Sequence, residues 1–296
     1  MSTSSDSKTG KPGATVREKI RAYYAALTQS ERKFANALLA NYPAAGLASI
    51  TIVAASADVS TPTVARMVQK LGYKGYPQFH RALLRELEAT VSGPTQRRAN
   101  WASEVPATHL LNRFVTAIGQ NIEQTLSNID TTQFDEAVQV LADTDRRLYL
   151  VGGRITRALA EYAFTHFQAV RQRITHMTSS SATWPHYLLD MEAGDVLLMF
   201  DVRRYETNLQ RLAELAAERG VHVILITDQW ASPVATVAKH TFHCWVEIPS
   251  AWDSNISTMM LLETLIAAVQ EENWPETRAR YERLDEIFDA ARLFGK

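Results

Sequence analysis

The chain has 296 residues, 46% of them hydrophobic and 21% charged, a balance that suits a soluble globular protein of two ordinary domains. Its longest uncharged stretch, Phe34 to Ala57, is broken by Asn, Pro, Gly, Ser and Thr, which excludes a membrane span; the Ser/Thr-rich start lacks the apolar run of a signal peptide, so a cytoplasmic protein is expected. A single cysteine, Cys244, excludes an internal disulfide and a Cys-cluster metal site, and the net charge of −1 hides a split: residues 1–98 hold 14 Lys and Arg against 6 Asp and Glu, the remainder 17 against 26.

Residues 1–14, small, polar and basic, are expected to form a disordered tail. From Val16 to about Leu87 the pattern is helical. "TQSERKFANALLANY" opens with a Thr28/Ser30 capping region and Glu31, then sets Phe34, Ala37, Leu38 and Tyr42 on one stripe. Two short helical runs follow, 49–57 and 61–71, separated by "DVS", and a further helix over 77–90. The short pair fits a helix-turn-helix, with Ile52, Ala55, Val59, Val64 and Leu71 between the helices, Ser60 as cap and Pro62 in the first turn of the second. Thr61, Thr63, Arg66 and Lys70 are then expected on the outward face toward base edges and phosphates, with Lys74 and Tyr76 as backbone contacts and Ser60 at the entry.

This stretch resembles the N-terminal DNA-binding domain of the RpiR family of bacterial transcription regulators, in which a "V-S-x-x-T-V-x-R" helix precedes "L-G-[FY]-x-G-[FY]". Val59, Ser60, Thr63, Val64, Arg66, Leu71, Gly72, Tyr73, Gly75, Tyr76 and Phe79 stand in those places. Asp58 departs from the pattern at a turn position usually held by glycine, and Asp tolerates left-handed geometry better than most residues. The domain is expected over 15–91, followed by a Gly/Pro-containing linker at 92–107.

From 108 to 142 the chain is helical again. Apolar runs of strand length then alternate with helices: 147–152, 174–177, 196–202, 222–228 and 241–248, with helices near 156–171 and 206–219. Continuous apolar runs separated by helices predict a doubly wound parallel sheet, so the fold class is an all-α helix-turn-helix domain followed by an α/β domain over 108–273 and a C-terminal helix at 274–296. Such a sheet takes ligands at the carboxyl ends of its strands, which here read "GGRIT", "DVRRYET" and "DQWASP".

The region from about 130 to 270 resembles a sugar isomerase (SIS) domain, the usual partner of this DNA-binding domain in RpiR regulators. Gly152, Gly153, Thr156 and Ala160 follow its first-loop pattern, and Thr227, Ser232 and Pro233 the loop after the fourth strand. Where sugar-phosphate-binding members carry a second glycine and a "S-x-S-G-x-T" cradle, this chain has Arg154 and Asp201, Arg203 and Arg204. Three arginines at adjacent strand mouths suit one small anion, a phosphosugar or a carboxylate, with Tyr205 stacking on it or shielding the turn. The alternative is that the arginines pair with local acids, Asp201 and Glu206 included, and have closed the pocket. A sugar-phosphate isomerase is a further alternative, with His176, His186, Glu192 and Glu206 available, although their spacing forms no constellation.

The expected protein is therefore a non-enzymatic, DNA-binding regulator that needs no cofactor and no metal. One helix-turn-helix per chain reaches paired half-sites only in a homodimer or larger homo-oligomer.

Overall fold

A computed structural model of the chain describes residues 15–40, 42–91, 95, 109–178 and 180–292. The expected tail and nearly all of the expected linker lie outside these residues. The chain divides into two units, Met1–Ser92 and Gly93–Lys296.

The first unit is helical: α1 (Val16–Tyr23), α2 (Gln29–Ala40), α3 (Ile50–Ser56), α4 (Thr61–Lys70) and α5 (Tyr76–Val91). The starts of α1 to α4 are chemically specified. Thr15 and Glu18 form a reciprocal capping box on α1, and Thr28 and Glu31 form another on α2, with the Thr28 N–H donating to Glu31 Oε2 at 2.8 Å. Ser49 caps α3, and Ser60 caps α4 with Pro62 in its first turn. The end of α4 is a Schellman closure: Gly72 takes φ 84, its N–H donates to Gln69 O, and the Tyr73 N–H reaches back to Val68 O.

The core joins Phe34, Leu38, Val53, Ala54, Val64, Met67, Val68, Leu71, Phe79 and Leu83. This corrects the predicted phase of α3. Ile52 is 59% exposed and Ala55 exposed, while Val53, Ala54 and Ala57 face inward, because small side chains at 54 and 57 let α4 approach closely. Asp58 sits in the tight turn at φ 49, the left-handed geometry expected of it, and its carboxylate pairs with Lys33 Nζ.

The second unit begins with α6 (Leu110–Asn128) and α7 (Thr131–Ala142). The helical stretch expected over 108–142 is thus two helices, because Asp130 accepts from the Thr132 and Gln133 N–H groups and starts a new one. Then come β1 (Leu148–Gly152), α8 (Arg157–Val170), β2 (Ile174–His176), α9 (Trp184–Asp190), β3 (Val196–Asp201), α10 (Thr207–Glu218), β4 (His222–Asp228), β5 (His240–Cys244), α11 (Ile256–Glu272) and α12 (Trp274–Ala291). All five strands are parallel in the order β2-β1-β3-β4-β5. Every residue of β3 and β4 is buried, which is why they read as unbroken apolar runs. One face, with Tyr149, Val151, Leu197, Met199, Val223 and Leu225, packs on Trp184 and Leu188 of α9 and Leu209, Leu212 and Ala213 of α10. On the other face, α8 packs against β1, β2 and β3, and α7 and α8 pack against α11.

The run 241–248 carries strand pairing only to Cys244. The Trp245 N–H donates to Thr125 Oγ1 and the Val246 N–H to Gln229 Oε1, so side-chain acceptors replace the ladder. The Cys244 thiol is fully buried and pushed up to about 12, which leaves it inert.

At the amino ends of β4 and β5, His222 and His240 stack with ring centroids 4.9 Å apart and planes 10° apart, both buried. Burial, then the neighbouring His240, Lys239 and Arg146, pushes His222 down to about 4; burial likewise lowers His240, against the opposing pull of Glu136, whose Oε2 lies 3.9 Å from His240 Nδ1. Both rings are therefore neutral at pH 7, and their folded pKa values lie below the unfolded value near 6.5. The stability they permit is present above about pH 6.5 and is lost as pH falls toward 4, because the unfolded chain takes up protons that the fold refuses. The melting temperature is expected to fall between pH 7.5 and 5, and His222→Gln to flatten that acid limb. An unchanged limb would remove the pair from the pH response.

Candidate functional site

In the first unit the exposed side of α4 is the candidate nucleic-acid face. Arg66 is exposed, its guanidinium 3.3 Å from Thr63 Oγ1; Thr61 is half-buried beside it, and Lys74 is exposed just beyond the helix. Ser60 is exposed and bonded at its hydroxyl to Thr63 Oγ1 at 2.8 Å.

Three residues expected on this face are placed otherwise. Thr63 is buried, because a third-position threonine closes the cap with Ser60 and turns its methyl to the core. Lys70 is drawn to Glu31, a buried carboxylate 2.7 Å away that is held below the usual range by Lys70 and Thr28 despite its burial. The Tyr76 hydroxyl donates to the carbonyl oxygens of Gly46 and Ala48, which ties α5 to the turn before α3.

In the second unit β2 is added on one side of β1 and β3 on the other, so the loops after β1 and β3 flank the switch point of the sheet. In the first loop, Thr156 is buried; its hydroxyl donates to Phe200 O at 2.6 Å and accepts from the Gly153 N–H at 2.8 Å. Gly152 lies under the start of α8, where an added Cβ would come within 2.4 Å of Thr156 O. The Arg154 N–H donates to Glu206 Oε1 at 2.6 Å, while its exposed guanidinium lies 5.8 Å from the centroid of the half-exposed Trp252 ring.

The second loop turns through two left-handed residues, Arg203 at φ 50 and Arg204 at φ 45. Arg203 is half-buried, whereas Arg154 and Arg204 are exposed. The Arg203 guanidinium lies 3.5 Å from the Trp230 ring centroid and pairs with Asp253 and Glu247, both at 3.1 Å, acids other than the two singled out from the sequence. Its N–H donates to Asp228 Oδ2, and the Tyr205 hydroxyl and the Trp230 N–H donate to Asp228 Oδ1. Tyr205 is thereby fixed as part of the wall, and its phenol is driven well above its ordinary value by burial and by Asp228. Arg204 is exposed, with no hydrogen bond or ion pair among the described residues.

Asp201, Thr227 and Ser232 form a closed latch beneath the mouth. The Ser232 hydroxyl donates to Asp201 Oδ2 at 2.5 Å, Thr227 Oγ1 donates to Asp201 O and accepts the Ser232 N–H, and all three residues are buried. Burial, with the charges of Asp228 and Glu206, pushes Asp201 up to about 7 against the Ser232 hydrogen bond. Of the ten residues expected to hold a ligand, Arg154 and Arg204 alone are exposed.

Sequence reasoning missed Asp228, Trp230, Glu247, Trp252 and Asp253. Asp228 ends an apolar strand, a position that could have flagged it; the other acids come from an aperiodic loop with no local pattern. The isomerase candidates are scattered over four elements: His176 on β2 stacks on Phe164, His186 is exposed on α9, Glu192 precedes β3 and Glu206 precedes α10. No hydrogen bond or ion pair joins them among the described residues.

Residues 14–90 match the helix-turn-helix domain of the rpiR family, and residues 141–268 match the SIS domain. The chain is 24% identical over 293 residues to the HTH-type transcriptional regulator HexR of Escherichia coli, covering 93% of this chain and 95% of that protein. The sugar isomerase domain of an RpiR transcription factor from Sphaerobacter thermophilus superposes with a TM-score of 0.55 at 23% identity, covering 60% of this chain and 97% of that one. The NanR protein of Vibrio vulnificus, complexed with ManNAc-6P, superposes with a TM-score of 0.52 at 17% identity, covering 95% of this chain and 99% of that one. These likenesses show the fold. Among the described residues no helix is long and apolar enough to cross a membrane.

Proposed function

The chain is an RpiR-type transcription regulator with an SIS domain, and from that premise we propose that α4 binds a two-fold-symmetric operator while the open end of the sheet takes a small acidic metabolite that alters operator affinity. The observation that carries the effector half is the exposure of Arg154 and Arg204 on the two loops that flank the switch point. The complex of the NanR neighbour with ManNAc-6P makes a sugar phosphate the first class to try, with a carboxylate second. The regulator works in the cytoplasm as a homo-oligomer, since one α4 per chain reads one half-site. We read it as a regulator and not an enzyme, on the strength of its likeness over most of its length to HTH-type transcriptional regulators. Coupling requires that the metabolite prefer one arrangement of the oligomer.

Selection of the purified protein against sheared DNA of its source genome, with and without sugar phosphates, tests this reading. A short symmetric site whose enrichment changes with a metabolite supports it; salt-sensitive nonspecific binding under every condition overturns it. On such a site, Arg66→Ala is expected to weaken binding about tenfold or more with the second unit still folded. Unchanged affinity across a salt series would remove Arg66 from the interface. The double variant Arg154→Ala, Arg204→Ala is expected to lose the metabolite response and keep DNA affinity, and a normal response would move the effector site elsewhere.

A second reading, a ligand-independent regulator with a shut pocket, is favoured by the pairing of Arg203 with Glu247 and Asp253. It requires that no acidic metabolite shift the melting temperature.

A further inference from the structure

Resting on the reading of the mouth as the effector site, we infer that Glu206 is the effector's internal rival: its carboxylate occupies the anion seat that the metabolite's acidic group takes, so binding is an exchange of one anion for another. Glu206 is the N-cap residue of α10, where an acidic side chain ordinarily bonds the second or third N–H of its own helix. Its carboxylate makes no such bond and reaches instead across the switch point to the Arg154 N–H, at 2.6 Å, in the loop that opens α8. The glycine at 153 makes room for it, since a Cβ there would lie 2.8 Å from the same carboxylate oxygen. The Glu206 N–H is turned to the Asp201 carboxyl, so the residue is held by its backbone while its side chain can rotate away.

The surroundings set the terms of the exchange. The seat offers a single backbone N–H in the turn between β1 and α8, a donor suited to phosphate or carboxylate oxygen, with the Arg154 and Arg204 side chains exposed on the flanking loops. Beneath it lie Asp201 and Asp228, both buried and both raised by burial. A second anion cannot take the Arg154 N–H while Glu206 remains on it, because the donor is single and like charges at contact repel. Departure of Glu206 also removes the side-chain tie between the loops after β1 and β3, so the incoming anion substitutes for a contact that spans both halves of the sheet. The site is therefore closed by one rotatable carboxylate.

The test uses the full chain with inorganic phosphate and, separately, glucose 6-phosphate as probes in titration calorimetry. Glu206→Ala is expected to bind phosphate about tenfold tighter than wild type. Glu206→Gln, which keeps an oxygen for the Arg154 N–H but no charge, is expected in between and serves as the isosteric variant should the alanine form melt early. Loss of the gain when Arg154→Ala and Arg204→Ala are added would place the bound phosphate at this mouth. Wild-type binding with no gain in either Glu206 variant overturns the inference and leaves the effector reading standing. Absence of binding by wild type and both variants, all folded, overturns the inference and the effector reading together.

Discussion

Arg171→Met is expected to lower the unfolding free energy of the second unit by about 2–3 kcal/mol, the upper part of the range for leaving buried carbonyl oxygens without a donor. Arg171 is 1% exposed at the end of α8, and its guanidinium donates to the carbonyl oxygens of Leu141, Arg146 and Gln172. Leu141 lies in the last turn of α7, whose final carbonyls have no partner within the helix, and Arg146 lies just before β1. One planar fork therefore closes a helix end and fixes the entry of the central sheet. Burial lowers the guanidinium to about 10, so it stays charged at neutral pH. A methionine fills a similar volume and donates nothing, leaving buried acceptors without a partner. Urea unfolding followed by circular dichroism measures the loss, and Arg171→Lys, which keeps charge without the fork, is expected to fall between. A loss under about 1 kcal/mol would show that these carbonyls find other donors.

Gly152→Ala is expected to cost about 3 kcal/mol, the upper end of overpacking penalties. A Cβ at 152 would stand 2.4 Å from Thr156 O, 2.5 Å from Thr156 C and 2.6 Å from Arg157 N, all backbone atoms at the start of α8. A side chain could rotate aside; a helix start moves only with its whole first turn. The Thr156 hydroxyl bonds to Phe200 O and to the Gly153 N–H would be pulled with it, so the Arg154 loop is displaced as well. Phosphate binding and thermal stability are expected to fall together, and a native melting temperature would mean that α8 shifts freely over β1.

These two residues show where reading from sequence succeeds and stops. Gly152 was legible as a loop glycine after an apolar run, and β3 and β4 were legible because burial on both faces leaves no polar residue to interrupt them. Asp58 was legible too, since a left-handed turn narrows the choice of residue. Arg171 was not, because its three acceptors are backbone carbonyls, which carry no residue identity. The acids that pair with Arg203 were not legible for a related reason: Glu247 and Asp253 lie 44 and 50 residues further along, in a loop without periodicity. Thr63 looked outward because a short helix written as a wheel takes no account of the cap, whose closure turns the third residue inward.

The pairing of Lys70 with Glu31 bears on the ion atmosphere of bound DNA. A cation that meets a phosphate releases condensed counterions, and log affinity falls against log salt by about 0.9 for each phosphate neutralised. Lys70 already has a carboxylate partner 2.7 Å away, and reaching a phosphate would leave the buried Glu31 carboxylate with Thr28 as a donor but without its cation. Its ammonium, although exposed, is already engaged by that carboxylate before any nucleic acid arrives. On the proposed reading, in which α4 faces DNA, the salt slope from this side is expected to come from Arg66 and Lys74, and removal of Lys70 is expected to leave that slope little changed.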